Sequence, residues 1–136
     1  ASHLPIPFSS IYASAEAAME VMANGLRNEL APFGIRVVTV APSFIRTDIY
    51  QEKILQEDSV YATAMNTAKA IRDARIQNGS DPAVVAAQIL RIISLKNPKP
   101  FYAAGRNAGL LALISKLMPA SFVEKNIRKQ FKITGS

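Results

Sequence analysis

The sequence contains neither cysteine nor tryptophan in its 136 residues. Without cysteine there can be no disulfide and no thiolate metal site, and this absence fits a reducing compartment such as the cytoplasm. The one histidine, His3, has no metal-ligating residue at a suitable spacing beside it, so we predict no metal site. The longest apolar run, residues 110–114, is far too short to span a membrane.

Acidic residues are scarce in the C-terminal part of the chain. Residues 96–136 carry eight lysines and arginines against Glu124 alone, a net charge of +7. The whole chain carries +6, so residues 1–95 sum to −1 (+6 minus +7). The basic charge therefore belongs to the C-terminal tail. No nucleic-acid-binding motif accompanies it, and we expect no nucleic-acid partner.

Hydrophobic periodicity predicts a long helix followed by a buried strand. Apolar residues recur every three or four positions between residues 15 and 30, which is the period of one helix face, and we place a helix at 13–31. Pro32 and Gly34 end it. Residues 35–41 form a run rich in β-branched residues, as in a strand covered on both faces of a parallel sheet, and residues 43–50 form a loop.

The rest of the chain alternates in the same way. A weak helical pattern covers 51–77, and Asn78-Gly79-Ser80 matches a glycosylation acceptor, although its residue types favour a turn. Asp81 is predicted to cap a helix that runs to residue 95, with Pro82 at its first position. A short strand at 101–104 and helices from 107 to 118 and around 122–131 complete an α/β pattern with a parallel sheet. Two strands are too few for such a sheet, so we expect the sheet to be incomplete in this chain.

One stretch carries a family resemblance. Tyr12 opens the first helix, the strand follows, and then comes the segment Ala41-Pro42-Ser43-Phe44-Ile45-Arg46-Thr47. This order resembles the catalytic half of the short-chain dehydrogenase/reductase family, which has a Tyr, a Lys four residues later, a strand and a Pro-Gly-x-x-x-Thr loop. The resemblance covers about residues 4–105 and is specific over 7–47. It implies the C-terminal part of a doubly wound, Rossmann-like parallel sheet, with a catalytic half at 1–106 and a basic amphipathic helical extension at 107–136.

The resemblance also implies a function and residue roles. It implies an NAD(P)-dependent oxidoreductase, using NAD or NADP, that interconverts a small-molecule carbonyl and an alcohol, hydrophobic ones included. Tyr12 would be the catalytic acid/base and would also contact the cofactor. Ile45 and Thr47 would meet the nicotinamide carboxamide. Pro42 would shape the turn, and Ser43 stands where the family has Gly.

Glu16 occupies the position of the family's catalytic Lys. That Lys lowers the pKa of the Tyr and holds the nicotinamide ribose, whereas a carboxylate one helical turn away raises the pKa and weakens proton transfer. Glu16 could still accept hydrogen bonds from ribose hydroxyls, or it could be a solvated carboxylate near the helix start. The family's catalytic Ser falls two positions before Ala1, and the six glycines form no G-x-G-x-x-G phosphate loop. We therefore expect a fragment that, alone, neither binds NAD(P)H tightly nor turns over.

Two further readings stay open from the sequence. The chain could belong to a non-catalytic relative that acts as a binding or assembly subunit, and either kind of protein is expected to be a homo-oligomer, as family members often are. Residues 107–132 could lie on an anionic membrane surface as a peripheral contact. Alternatively, Phe122, Ile127 and Phe131 pack on the body of the protein or on a partner subunit.

Overall fold

The chain folds as an α/β unit with a parallel strand pair. The computed structural model describes residues 6–48 and 58–133, and within them the backbone alone at 111, 112 and 114–116. Thr39 lies opposite Phe101 and Pro42 opposite Ala104 in the parallel register, as the predicted fold class requires. The described elements are α1 (Ser10–Leu30), a 3-10 turn (Ala31–Phe33), β1 (Thr39–Pro42), α2 (Ala62–Gln77), α3 (Pro82–Ile93), β2 (Phe101–Ala104), α4 (Ala108–Leu117) and α5 (Ala120–Gln130).

Helix α1 begins three residues earlier than predicted, which places Tyr12 inside its first turn. The predicted end is confirmed, because the helix passes into a 3-10 turn around Pro32 and stops at Gly34. Gly34 adopts φ 72°, a left-handed conformation that glycine reaches without steric cost. No residue of α1 is buried, and its apolar stripe is largely exposed at Met19 and Met22.

Strand β1 is shorter than predicted, and residues 35–38 lie outside it. The register places Pro100 opposite Val38, and a proline has no N–H to donate to a neighbouring strand. Pairing therefore begins only at Thr39, whose N–H donates to the Pro100 carbonyl at 2.9 Å. The expectation of a strand covered on both faces is wrong for this chain, because Val38 and Val40 are only half-buried.

The remaining elements follow the predictions closely. Helix α2 begins at Ala62, and residues 58–61, for which a helix was predicted, are not helical. Residues 51–57, where the predicted helix begins, lie outside the described part of the chain. Asp81 caps α3 as expected, since its side chain accepts from the Ala83 N–H at 2.9 Å. Helix α3 ends two residues before the predicted end, and β2 occupies the predicted residues.

The core is small for a chain of this size. A compact monomer of 14.7 kDa exposes roughly 6,900 Å², whereas this chain exposes 10068 Å². Much apolar surface on α1, α3 and α4 therefore faces solvent. In the described part of the chain, no helix is both long and apolar enough to cross a membrane. The buried hydrophobic residues are Ala68, Ile92, Ala104, Ala108 and Phe131.

Candidate functional site

Tyr12 and Glu16 lie one turn apart at the start of α1. Tyr12 is 55% exposed, and Glu16 is half-buried. Partial burial raises the pKa of the Tyr12 phenol above its ordinary value, and the negative charge of Glu16 raises it further. The direction of this pKa shift agrees with the charge argument from the sequence. The larger cause of the raised pKa is the partial burial of Tyr12, which the Tyr12–Glu16 spacing does not predict.

An aromatic contact joins the start of α1 to the start of α2. The Phe8 and Tyr61 rings meet edge to face, with centroids 6.2 Å apart. Phe8 has φ 62°, a left-handed conformation that is unusual for a residue with a side chain. Tyr61 immediately precedes α2, so the segment before Tyr12 lies against the start of that helix. The sequence carries no signal that pairs these two rings.

The segment after β1 forms a hydrogen-bonded bridge with the turn between α2 and α3. Ser80 N–H donates to the Phe44 carbonyl at 3.0 Å, and Arg46 N–H donates to the Ser80 carbonyl at 2.9 Å. In a parallel bridge of this form the bonds come from the residues that flank Ile45. The N–H and C=O of Ile45 therefore point away from Ser80.

The turn that holds this segment also holds the loop after β2. The Ser80 hydroxyl accepts from the Arg106 N–H at 2.8 Å. The Asp81 carboxylate pairs with Arg46 at 2.7 Å. Gly79 approaches so closely that a Cβ there would lie 2.6 Å from the Phe44 carbonyl oxygen. The sequence indicated a turn here. In the structure that turn also fixes the segment after β1, residues 43–47, which we call the β1 exit.

Arg75 connects the same segment to the end of α5. Its guanidinium carbon lies 5.7 Å from the centroid of the Phe44 ring and 4.9 Å from that of Phe131, which is buried. The guanidinium also donates to the Gln130 side-chain oxygen at 2.9 Å. Cation–π contacts of this kind stabilise an exposed site by about 0.5–1 kcal/mol each. Sequence reasoning did not identify Arg75, because its two aromatic partners are distant along the chain.

The predicted site residues fall into two groups. Pro42 ends β1, and the Ser43 N–H donates to the Ala104 carbonyl at 2.8 Å, so these residues continue the sheet edge. Thr47 is exposed beyond Ile45. Within residues 6–48 and 58–133, no hydrogen bond or ring contact joins the Tyr12 end of α1 to residues 42–47.

The donor set at the β1 exit fits one end of a nicotinamide cofactor. The peptide groups of Ile45 that point away from Ser80 and the exposed Thr47 hydroxyl have the donors and acceptors that a carboxamide requires. The glycines supply no phosphate-binding loop. Where the structure describes the chain, no three His, Asp or Glu side chains cluster as metal ligands would.

An open depression of about 290 Å³ lies elsewhere on the chain. It is lined by Arg27, Gly34, Val37, Pro98, Pro100 and their neighbours, which precede the two strands. Open α/β sheets bind ligands at the carboxyl ends of their strands, the edge at which Ile45 and Thr47 lie. The depression is at the opposite edge, and we do not assign it to the candidate site.

Residues 1–58 match the family described as short chain dehydrogenase. The chain is also 31% identical to the NADPH-dependent 1-acyldihydroxyacetone phosphate reductase of Saccharomyces cerevisiae, over 93% of this chain and 44% of that protein. It belongs to the short-chain dehydrogenase/reductase family. Members of this family generally use NAD or NADP. The matched residues include Tyr12, Glu16 and the β1 exit.

Other family members align over the same extent. Estradiol 17-beta-dehydrogenase 2 of Mus musculus is 26% identical, over 94% of this chain and 38% of that protein. A probable short-chain type dehydrogenase/reductase, VdlC, of Helicobacter pylori is 26% identical, over 94% of this chain and 48% of that protein. The chain thus spans less than half the length of these curated relatives. No solved structure matches it at a significant level.

Proposed function

We propose that this chain is the C-terminal catalytic half of an NAD(P)-dependent oxidoreductase that interconverts a carbonyl and an alcohol. The observation that carries the proposal is the β1 exit, where the bridge to Ser80 turns the peptide groups of Ile45 away from Ser80. That exit follows the Tyr12 helix in the order typical of the family. The excess of exposed surface supports a chain that packs against further strands and helices.

The anchoring of α1 supports a common location for the two groups of site residues. Arg27, near the end of α1, donates to the Val37 carbonyl, two residues before β1, and to the Pro100 carbonyl, directly before β2. Tyr12 lies fifteen residues earlier, about 22 Å along the helix axis. Helices that connect parallel strands run antiparallel to them, which brings Tyr12 towards the strands' carboxyl ends. The exit segment with Ile45 and Thr47 is at that same edge.

Each residue then has a chemical role. The Tyr12 hydroxyl donates a proton to, or accepts one from, the substrate oxygen. The Ile45 peptide groups and the Thr47 hydroxyl hold the carboxamide of the nicotinamide ring, and Pro42 and Ser43 set the path of the segment that carries them. When bound, the cofactor supplies or accepts the hydride. Fixed donors position such a ring without reorganisation during the reaction.

The substrate is proposed to have a large apolar part. The names of two relatives specify an acylated dihydroxyacetone phosphate and estradiol, both of which carry extensive hydrocarbon. The Phe8–Tyr61 ring contact places aromatic surface next to the Tyr12 end of α1. An apolar substrate beside these rings would leave its oxygen towards the phenol.

One observation favours a second candidate, a non-catalytic family member that acts as a binding or assembly subunit. Burial and Glu16 both raise the pKa of Tyr12, whereas proton transfer near neutral pH is most efficient when the pKa of the group is close to the pH. At neutral pH a phenol with a raised pKa is ionised less often, so less phenolate is available to accept the proton when an alcohol is oxidised. The two candidates therefore differ in the effect of replacing Glu16.

Steady-state turnover of NADH and NADPH tests the proposal in a polypeptide that extends this chain by the sequence preceding Ala1. Tyr12→Phe should lower kcat about 10²–10⁴-fold with a ketone or aldehyde that carries an alkyl chain. Tyr102→Phe is the matched control and should leave kcat within a few-fold of the parent, because the Tyr102 hydroxyl bonds the Lys99 N–H ahead of β2. Retention of full turnover by Tyr12→Phe would refute the assigned role of the phenol.

Glu16→Lys separates the two candidates in the same polypeptide. A catalytic family member should gain turnover, because a cation replaces the carboxylate beside Tyr12. A non-catalytic subunit should show no turnover with either residue, at any concentration of either nicotinamide cofactor.

A further inference from the structure

Helix α4 presents an exposed leucine row. Leu110, Leu113 and Leu117 are 57%, 55% and 71% exposed. Their spacing of three and four residues places them on one side of the helix. Met118 and Phe122, which follow across the turn into α5, are also exposed. We call these five residues the α4–α5 apolar surface.

The apolar side of α5 contributes little to this surface. Phe131 is buried against Arg75, and Val123 and Ile127 are half-buried. Of the residues for which the sequence left packing on the body of the protein open, Phe131 is buried there, whereas Phe122 is exposed. Apart from Phe122, the exposed side chains of α5 are polar and mostly cationic. Its described ion pair, Arg128 with Glu124 at 3.6 Å, is well exposed and correspondingly weak. The exposed cations are Lys125, Arg128, Lys129 and Lys132.

We propose that the α4–α5 apolar surface binds the surface of an anionic phospholipid bilayer. The leucine row would enter the boundary between headgroups and acyl chains, and the α5 cations would contact lipid phosphates. Residues 108–132 carry five Lys/Arg and one acidic residue, a net charge of +4. This charge complements the negative potential of such a bilayer.

Charge distinguishes this surface from the exposed apolar side of α1. Helix α1 exposes Met19, Val21 and Met22 to a similar extent. However, α1 contains three glutamates and one arginine, a net charge of −2, which an anionic bilayer repels. Apolar exposure is thus shared by α1, α3 and α4. Helix α3 contains one cation, Arg91, whereas residues 108–132 carry a net charge of +4.

Vesicle co-sedimentation tests the proposal with the same extended polypeptide as the turnover assays. It needs no cofactor, so its outcome is independent of the oxidoreductase proposal. The chain should sediment with phosphatidylcholine vesicles that contain phosphatidylserine, and much less with phosphatidylcholine alone. Raising the salt concentration should weaken the binding, because the charges are screened beyond about 10 Å at 0.1 M. Absence of co-sedimentation at low salt, or equal binding to both kinds of vesicle, would overturn the proposal.

Two pairs of substitutions separate the apolar from the electrostatic contribution. Leu113→Gln with Leu117→Gln should weaken binding more than tenfold, whereas the matched pair Met19→Gln with Met22→Gln should leave it unchanged. Lys125→Gln with Lys129→Gln should weaken binding to anionic vesicles about 25-fold, since each cation near the surface strengthens it about fivefold. Circular dichroism establishes that each variant keeps its helices.

The alternative occupant of the α4–α5 apolar surface is a second copy of the chain. Light scattering tests this alternative, because it measures the molar mass in solution. A leucine pair that lowers the molar mass in solution while leaving vesicle binding intact would overturn the proposal. An unchanged molar mass together with lost vesicle binding supports it. Loss of binding in both the α4 pair and the α1 pair would indicate a general apolar effect and would also contradict it.

Discussion

The Arg27 guanidinium donates to the Pro100 carbonyl at 2.9 Å, across the entry of the parallel sheet. The same side chain donates to the Val37 carbonyl at 2.9 Å and to the Asn24 side-chain oxygen at 2.8 Å. Pro100 also accepts the Thr39 N–H at 2.9 Å. One side chain on α1 therefore bonds the segments that precede both strands, and this fixes the helix that carries Tyr12.

Replacing Arg27 should loosen this anchor. We expect Arg27→Met to lower the free energy of unfolding by about 2 kcal/mol, because carbonyl partners of a charged donor are left without it. Arg27→Lys should recover little, since an ammonium group lacks the planar fork that reaches two carbonyls. Urea denaturation measures both variants against Arg91→Met, an exposed change in α3. Equal stability of all three variants would contradict the anchoring role.

The raised pKa of Tyr12 predicts an ordered response to substitutions at Glu16. Glu16→Gln should lower the pKa of the phenol but leave it above its ordinary value, because burial, the larger cause, persists. Glu16→Lys should lower it further, since a cation favours the phenolate. The phenolate of the unsubstituted protein therefore forms at a higher pH than in either variant.

Spectrophotometric titration of tyrosinate, with Tyr12→Phe subtracted, measures this order. Glu29→Gln at the far end of α1 is the control and should leave the phenol unchanged. A pKa that is the same in all Glu16 variants would show that the two side chains do not interact.

We expect alanine to change the free energy of unfolding in opposite directions at Gly79, which lies close to Phe44, and at Gly25. Gly79→Ala places a Cβ 2.6 Å from a backbone oxygen, and we expect a loss of about 1–3 kcal/mol in the free energy of unfolding. Gly25→Ala in α1 meets only a Glu29 oxygen, at 3.7 Å, and should gain about 0.5–1 kcal/mol from the better helix propensity of alanine. Urea denaturation of the two variants decides the matter, and a tolerated Gly79→Ala would contradict the described path of the β1 exit.

The contacts of Arg75 predict that this side chain stabilises the packing of the end of α5 near the β1 exit. Arg75→Met removes a cation that lies near the Phe44 and Phe131 rings, and should lower the free energy of unfolding by about 1–2 kcal/mol. Gln130→Ala removes only the hydrogen-bond partner of Arg75 and should lower the free energy of unfolding by less. Thermal unfolding of both variants gives the comparison. A larger loss in Gln130→Ala would assign the stability to the hydrogen bond rather than to the rings.

The Thr39 hydroxyl is buried without a hydrogen-bond partner, as the described residues place it. Thr39→Val should therefore raise the free energy of unfolding by about 1 kcal/mol, because an unsatisfied polar group gives way to an apolar one of similar shape. The matched control is Thr67→Val. The Thr67 hydroxyl donates to the Thr63 carbonyl at 2.9 Å, so its removal should bring no such rise in the free energy of unfolding. Destabilisation of both variants in urea would indicate a partner for the Thr39 hydroxyl.

Local signals identified most of the elements correctly. The Asp81-Pro82 pair predicted the start of α3, since a carboxylate capping an N–H and a proline at the first position act within one turn. Pro32 and Gly34 likewise predicted the end of α1. The length of β1 was not predictable in this way, because it depends on the prolines of a partner strand some sixty residues away in the chain.

The sequence alone determined the family, the α/β class and the identity of Tyr12 and Glu16 as neighbours on one helix, because each of these follows from residue order and short-range spacing. Only the tertiary structure decided which way the Ile45 peptide groups point, which residues hold the β1 exit, and that α5 turns Phe131 inward. These depend on Ser80, Arg75 and Arg27, whose partners are distant in sequence. Contacts of that kind are set by the register and packing of whole elements, for which no local pattern exists.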